Sequence, residues 1–259
     1  MNRKPKILIW DVEVSTVQLL IQNYGLKNYI KYFNPKDIKR DWILLSVAWK
    51  WHGDNHAQCV SVKSNDIEND KGVVDAFYHV LKEADIIIGH NMKAFDAKKF
   101  NSKVIEYGYA PILFNPNQVI DTLQLCRKYF KFSSNRLSYV AHKLGVDAKD
   151  ESPDWNKVLQ GDEDEIRYMR KYNKQDVIVN EMVYNKIKGW HDTHPNLNVI
   201  NTIRDTENNQ VIACPTCQSV ETVKDGFKFL KNGKKQRYQC KDCGRKFCHG
   251  KLIKVTEYG

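Results

Sequence analysis

Four acidic side chains stand where residue type and spacing could do chemistry. Asp11 and Glu13 lie two residues apart in the apolar run 7–14. In a β-strand, positions i and i+2 share a face, so these carboxylates would stand side by side. Two anions so placed repel each other. Burying them unpaired is costly, and a divalent cation offsets that cost directly. Asp96 follows the turn at Gly89-His90-Asn91 and opens a helical stretch, at the positive end of the helix dipole. Asp176 comes four residues after Tyr172, which sets hydroxyl and carboxylate one above the other on a helix. Each acid also has an ordinary reading. The strand could end at Trp10 with both acids solvated, Asp96 could be a first-turn acid, and the helix could turn Asp176 to water.

A second set is sulfur-based. Cys214-Pro-Thr-Cys217 and Cys240-Lys-Asp-Cys243 are two Cys-x-x-Cys pairs with 22 residues between them, close to the spacing of a four-cysteine zinc ribbon. Neither pair sits in a βαβ context, which sets a redox role aside. Between them, 227–230, a turn at Asn232-Gly233 and 236–239 read as a hairpin. A unit this small needs its metal to fold. Cys248 and His249 fall just outside the pattern, as spares with alternative ligation open.

Holding the acids in place requires a core sheet backed by helices. Residues 42–51 and 57–62 flank a Gly-Asp-Asn turn and read as neighbouring strands. Val73, Phe77, Val80 and Leu81 have helical spacing, and 85–90 is a short strand of the buried type. A helix from Asp96 to about Tyr107 and a strand at 118–120 follow. Asp121, with Gln124 three residues later, reads as a helix cap first and an accessory acid second. From Asp162 to Lys188 one stripe carries Ile166, Met169, Tyr172, Asp176, Val179, Val183 and Ile187. Residues 16–41 stay unassigned. The alternation of helix and strand is that of an α/β fold. Residues 189–210 lack periodicity and read as a linker, leaving 1–188 as one domain, 211–250 as a second and 251–259 as a tail.

The net charge of +10 points to anionic partners. No apolar stretch is long enough to span a bilayer, and Asp11 breaks the apolar start, so neither a membrane segment nor a signal peptide is expected and the chain reads as cytoplasmic. Seven cysteines in 259 residues are too few for a disulfide scaffold. From Val211 onward, eleven Lys and Arg face four Asp and Glu. Lys228, Lys231, Lys234, Lys235 and Arg237 crowd the hairpin with Phe227, Phe229 and Tyr238 among them. Such a surface can meet phosphates and stack bases, or else forms a solvated face that docks on a protein.

In chain order, Asp11-x-Glu13, then His90-Asn91-x-x-x-Phe95-Asp96, then Tyr172-x-x-x-Asp176 resemble the three motifs of the DEDD 3′→5′ exonucleases, over roughly residues 1–188. Tyr172 four residues before the last acid, with Lys171 five before it, is similar to the tyrosine branch, DEDDy. Residues 121–126 and 135–145 are similar to that family too, including stand-alone members of bacteria and phages. The resemblance implies a ribonuclease H-like mixed sheet flanked by helices, with two Mg²⁺ or Mn²⁺ ions. It puts Asp11 between both ions, Glu13 and Asp176 on the water-bearing one, and Asp96 on the second. Tyr172 would orient the attacking water, and Asn91, an Asn after a turn, would either touch the terminal nucleotide or cap locally. Four carboxylates formally balance two such ions, which about 4 Å apart can activate a water and neutralise the leaving oxygen.

Residues 236–247 resemble the zinc ribbons near the ends of insertion-sequence transposases, which implies nucleic-acid binding; Lys228, Lys235, Arg237 and Tyr238 of the basic, aromatic hairpin are the candidate contacts. The expected protein is thus a metal-dependent exonuclease for single-stranded DNA or frayed 3′ ends, with one structural Zn²⁺, in a bacterial cell or phage-infected host. A polymerase partner, if it proofreads, would be a separate chain. An exoribonuclease stays open because the motifs do not read the sugar, as does a non-catalytic nucleic-acid-binding adaptor.

Overall fold

Alternation along the first strand, β1 (Ile7–Val14), divides the molecule into two layers. In the computed structural model, which describes residues 5–20, 34–146, 151–197 and 212–254, Leu8, Trp10 and Val12 enter one core while Ile7 and Ile9 enter the other. β1 is the middle strand of a five-stranded mixed sheet. On one side it runs antiparallel to β4 (Leu44–Trp51), which pairs with β5 (Gln58–Ser61), the hairpin expected over 42–62. On the other it runs parallel to β6 (Ile86–Gly89), and β6 to β7 (Val119–Asp121). In the unassigned segment 16–41, β2 (Gln18–Leu19) pairs with β3 (Ile38–Arg40), and residues 21–33 lie outside the described residues.

The first core is covered by α1 (Lys71–Lys82) and α2 (Asp96–Glu106). There the Trp10 ring meets Phe77 and Phe100 at centroid distances of 5.0 and 6.0 Å. Removing side chains of this size from water contributes roughly 1.5–3 kcal/mol each. The second core lies beneath α3 (Thr122–Tyr129), α4 (Leu137–Lys143) and the long α6 (Glu163–Ile187), with α5 (Trp155–Leu159) leading into α6. Asp162 caps α6 by accepting the Glu165 N–H.

The buried face of α6 is broader than the expected stripe. Ile166, Met169, Val179, Val183 and Ile187 are buried as expected, Asn173, Val177 and Asn180 are buried beside them, and Tyr172 and Asp176 sit half-buried on the flank. The polar groups that go inside are satisfied: Asn180 accepts the Thr122 hydroxyl at 2.7 Å, and Glu181 is ion-paired with Lys50.

At the C-terminal end, β8 (Thr222–Leu230), β9 (Gly233–Cys240), β10 (Lys246–Cys248) and β11 (Ile253–Lys254) form an antiparallel sheet centred on β9. The hairpin loop is Lys231-Asn232, one residue earlier than expected. Gly233 instead opens β9, because a Cβ there would stand 2.2 Å from the Ile253 carbonyl oxygen. Residues 189–197, the start of the segment read as a linker, seat this unit on α6. A Cβ on Gly189 would lie 1.9 Å from the Cys243 carbonyl oxygen, the Arg245 guanidinium donates to the carbonyls of His191 and Asp192, and the Leu197 N–H donates to Pro215 at 2.8 Å. Among the described residues, no helix is long and apolar enough to cross a membrane.

Candidate active site and metal centre

The same alternation that sends Ile7 and Ile9 under α6 points Asp11 and Glu13 there too, and α6 delivers Asp176. One carboxylate oxygen from each of Asp11, Glu13 and Asp176 lies within 4.8 Å of the others. Both acids belong to the strand, so the reading in which it ends at Trp10 is set aside. Asp96, nearly fully buried at the start of α2, lies beside this group, near enough for its charge to act on Asp11 and Glu13. The β1–β6 ladder ends at Ile9 and Ile88, and beyond it Asp96 accepts the Val12 N–H at 3.2 Å.

The electrostatics are those of crowded anions. Burial first, then Asp96, Glu13 and Asp176, raise the Asp11 carboxyl well above the usual carboxylate range; the hydrogen bond from Asn173 opposes the rise. Burial and the charges of Asp176 and Asp96 push Glu13 up to about 8, and burial pushes Asp96 up to about 7. Tyr172 is raised above its ordinary value by burial, then by Asp176, Glu13 and Asp11, with its hydroxyl hydrogen-bonded to Asp176. The phenol therefore stays protonated at neutral pH. A group of hard oxygen donors whose charges oppose one another is the donor set that Mg²⁺ or Mn²⁺ takes.

One neighbour escaped the sequence reading, and another has more partners than expected. Asn173 is fully buried, donates to Asp11 Oδ2 at 2.8 Å and accepts from the Ser46 hydroxyl at 3.1 Å, which fixes one lobe of the Asp11 carboxylate. Its position after Tyr172 offered no signal beyond a polar residue at the edge of an apolar stripe. Asp121 caps α3, as expected, through the N–H groups of Leu123 and Gln124. It also accepts from Asn91 and Lys93, both at 3.0 Å, and so brackets the turn that delivers Asp96. Asn91 itself is left-handed (φ 68°), and its carbonyl accepts from Ala94 and Phe95, so its backbone shapes that turn.

The four cysteines converge with sulfur–sulfur distances of 3.7 Å for Cys214–Cys243 and 3.6 Å for Cys217–Cys240. A tetrahedron with Zn–S bonds of about 2.3 Å has edges of about 3.8 Å, so the sulfurs fit a zinc ion. Hydrogen bonds from Cys217 and Cys243 lower the Cys214 thiol, while Cys217 and Cys243 are themselves raised by that partnership. The two knuckles match: Gln218 N–H returns to Cys214 and Gly244 N–H to Cys240. Cys248 is exposed on β10, and His249 lies against the edge of Tyr238; both stand outside the cluster.

The hairpin residues expected to touch substrate are divided by register. Lys228 and Lys235 face each other across β8 and β9, and Arg237 is ion-paired with Asp225. Tyr238 points to the opposite face and stacks on Phe247.

The sequence profile of the RNase_H superfamily matches residues 36–188, a span that contains Asp96, Tyr172 and Asp176 and begins after Asp11 and Glu13. No curated protein matches the chain significantly. Among solved structures, the family B DNA polymerase from the hyperthermophilic archaeon Pyrobaculum calidifontis is similar at a TM-score of 0.54 and 16% identity. That similarity covers 73% of this chain and 25% of the polymerase, a likeness of fold in which this chain accounts for about a quarter of the polymerase.

Proposed function

This chain belongs to the RNase_H superfamily, and from that premise we propose that it is a 3′→5′ exonuclease of the tyrosine-branch DEDD kind, acting on single-stranded DNA or frayed 3′ ends. The observation that carries the reading is the meeting of Asp11, Glu13 and Asp176 within 4.8 Å, with Asp96 held beside them by the Val12 N–H. Tyr172 hydrogen-bonded to Asp176 supports the tyrosine branch. The similarity to a DNA polymerase supports a nucleic-acid substrate.

Asp11, Glu13, Asp96 and Asp176 would hold two divalent ions, which when bound supply charge neutralisation and a water of lowered pKa. The chain's own groups do the positioning. Asn173 fixes the Asp11 carboxylate, and the Tyr172 hydroxyl, protonated at neutral pH, orients the attacking water by hydrogen bonding rather than removing its proton. Hydrolysis forms a bond from the water oxygen to phosphorus and breaks the bond to the 3′ oxygen, which leaves with a proton. The cysteine unit holds one structural Zn²⁺ and binds the strand.

The reading is tested with 5′-labelled single strands of DNA and RNA, with and without added Mg²⁺ or Mn²⁺. A ladder shortening from the 3′ end, dependent on metal and slowed about 10³-fold or more by Asp11→Ala, is expected. Binding without cleavage would make the chain an adaptor, and faster shortening of RNA would make it an exoribonuclease.

A further inference from the structure

The C-terminal sheet has two chemically distinct faces, and a bulge decides which residues fall on which. Between the pairs Lys224–Tyr238 and Phe227–Gln236, β8 carries one residue more than β9, at Asp225-Gly226. Directly opposed residues in an antiparallel sheet share a face. One face therefore bears Phe227, Phe229 and Tyr238 with Lys224 and Lys234, extended across β10 and β11 by Phe247 and Ile253. The other bears Lys228, Lys235 and Arg237. On that second face Asp225 draws in both Arg237 and Lys246, so part of its charge is answered within the fold.

The aromatic face is open. Phe229 is 78% exposed and Ile253 48% exposed. The Lys234 ammonium lies 4.6 Å from the centre of the Phe227 ring, and Tyr238 stacks on Phe247 with planes 25° apart. Rings standing beside ammonium groups, in a segment with a surplus of cationic side chains, complement a ligand that alternates flat π surfaces with negative charge. A single nucleic-acid strand is that ligand: any base can stack on an aromatic ring, and its phosphates meet the lysines.

We propose that this face is a stacking platform for the unpaired bases of a single strand, with Phe229 as its most accessible ring and Lys224 and Lys234 on the phosphates. The proposal rests on the nuclease reading for the source of that strand, and it refines the cysteine unit from a basic surface that binds the strand into one whose aromatic face holds the bases. It also assigns Lys228 and Lys235 to the face turned away from the bases.

The test uses the full chain, with fluorescence anisotropy of a 5′-fluorescein single strand of about twenty nucleotides, as DNA and as RNA, and no added Mg²⁺ or Mn²⁺. Phe229→Ala should weaken binding about tenfold and Phe229→Trp should keep it. The pair Lys228→Ala with Lys235→Ala should cost less and act mainly through the salt dependence. Hydrolysis of a dinucleotide, measured in parallel with metal added, should be unchanged by Phe229→Ala. Equal binding by wild type and Phe229→Ala, or a larger loss from the lysine pair, would overturn the platform. Wild-type protein that binds no single strand would assign the face to a protein partner and overturn it as well. Failure of every variant and wild type to cleave, with Phe229-dependent binding intact, would remove the nuclease reading and leave the platform standing.

Discussion

Asp11 and Asn173 meet across 162 positions of sequence, brought together by β1 and α6 over a core that closes without them. The cysteines meet across 29 and 23 positions, in a unit where Cys214, Thr216, Gly233 and Cys240 are the only fully buried members among the described residues. The acidic cluster is thus a cost carried by a fold that other contacts stabilise. The cysteine cluster stands in for a core. Removing a ligand should therefore have opposite structural consequences in the two regions, even though both are clusters of potential metal-binding side chains.

Cys240→Ser should break the comparison most visibly if it is wrong. Structural zinc contributes on the order of 10–16 kcal/mol to small zinc-folded units, more than β8–β11 can replace by burial. The variant should lose zinc, lose amide protection across β8 and β9, and bind single strands at least about tenfold more weakly. Its sheet of β1, β4 and β6 should stay protected, and dinucleotide cleavage should survive. Persistent protection of β8 and β9 after zinc loss, read by hydrogen exchange, would show that the unit has a core of its own.

A smaller effect should come from Asn173→Ala, which leaves all four acids in place. It removes the 2.8 Å hydrogen bond that fixes Asp11 and leaves the Ser46 hydroxyl without that acceptor. Outer groups of this kind typically govern metal affinity by about 10–100-fold. The Mg²⁺ concentration for half-maximal cleavage should rise by that factor, with the maximal rate less affected. An unchanged metal dependence would mean that the acids hold their geometry through the backbone alone.

The two regions also differ in how far they were legible. The i, i+2 carboxylates and the Cys-x-x-Cys spacings carry their geometry in the sequence, because strand alternation and knuckle turns are local. Which face of α6 goes inward is not local. Its buried stripe is broad enough to admit Asn173 and Asn180, whose partners Asp11, Ser46 and Thr122 come from distant strands and a neighbouring helix. The sheet of the cysteine unit was legible as a hairpin, yet its faces were not. The bulge at Asp225-Gly226 shifts parity, and only the paired register shows that Lys228 and Tyr238 point to opposite sides. Asp121 was legible as a cap, while its second role toward Asn91 and Lys93 depends on β6 and β7 lying side by side.

The smallest effect sharpens the claim that the acids cost the fold stability until cations arrive. Glu13 is pushed from an ordinary value of 4.5 up to about 8, by burial first and then by Asp176 and Asp96. A carboxyl raised on folding binds its proton more tightly in the folded state, so the stability it contributes is complete below pH 4.5 and is lost as pH rises through about 8. Gln cannot ionise. Without Mg²⁺, Glu13→Gln should melt at the same temperature as wild type near pH 4.5 and progressively above it towards pH 8. Each kcal/mol relieved should raise the midpoint by about 2–4 °C. Mg²⁺ should be withheld rather than chelated, so that no chelator strips the zinc proposed for the cysteines and the comparison isolates the acids. Adding Mg²⁺ should then reverse the order, because wild type gains binding energy that the variant cannot. If Glu13→Gln melts below wild type at pH 8 with no divalent ion present, the carboxylate is stabilising where it stands, and the acidic cluster is part of the scaffold rather than a charge that the scaffold tolerates.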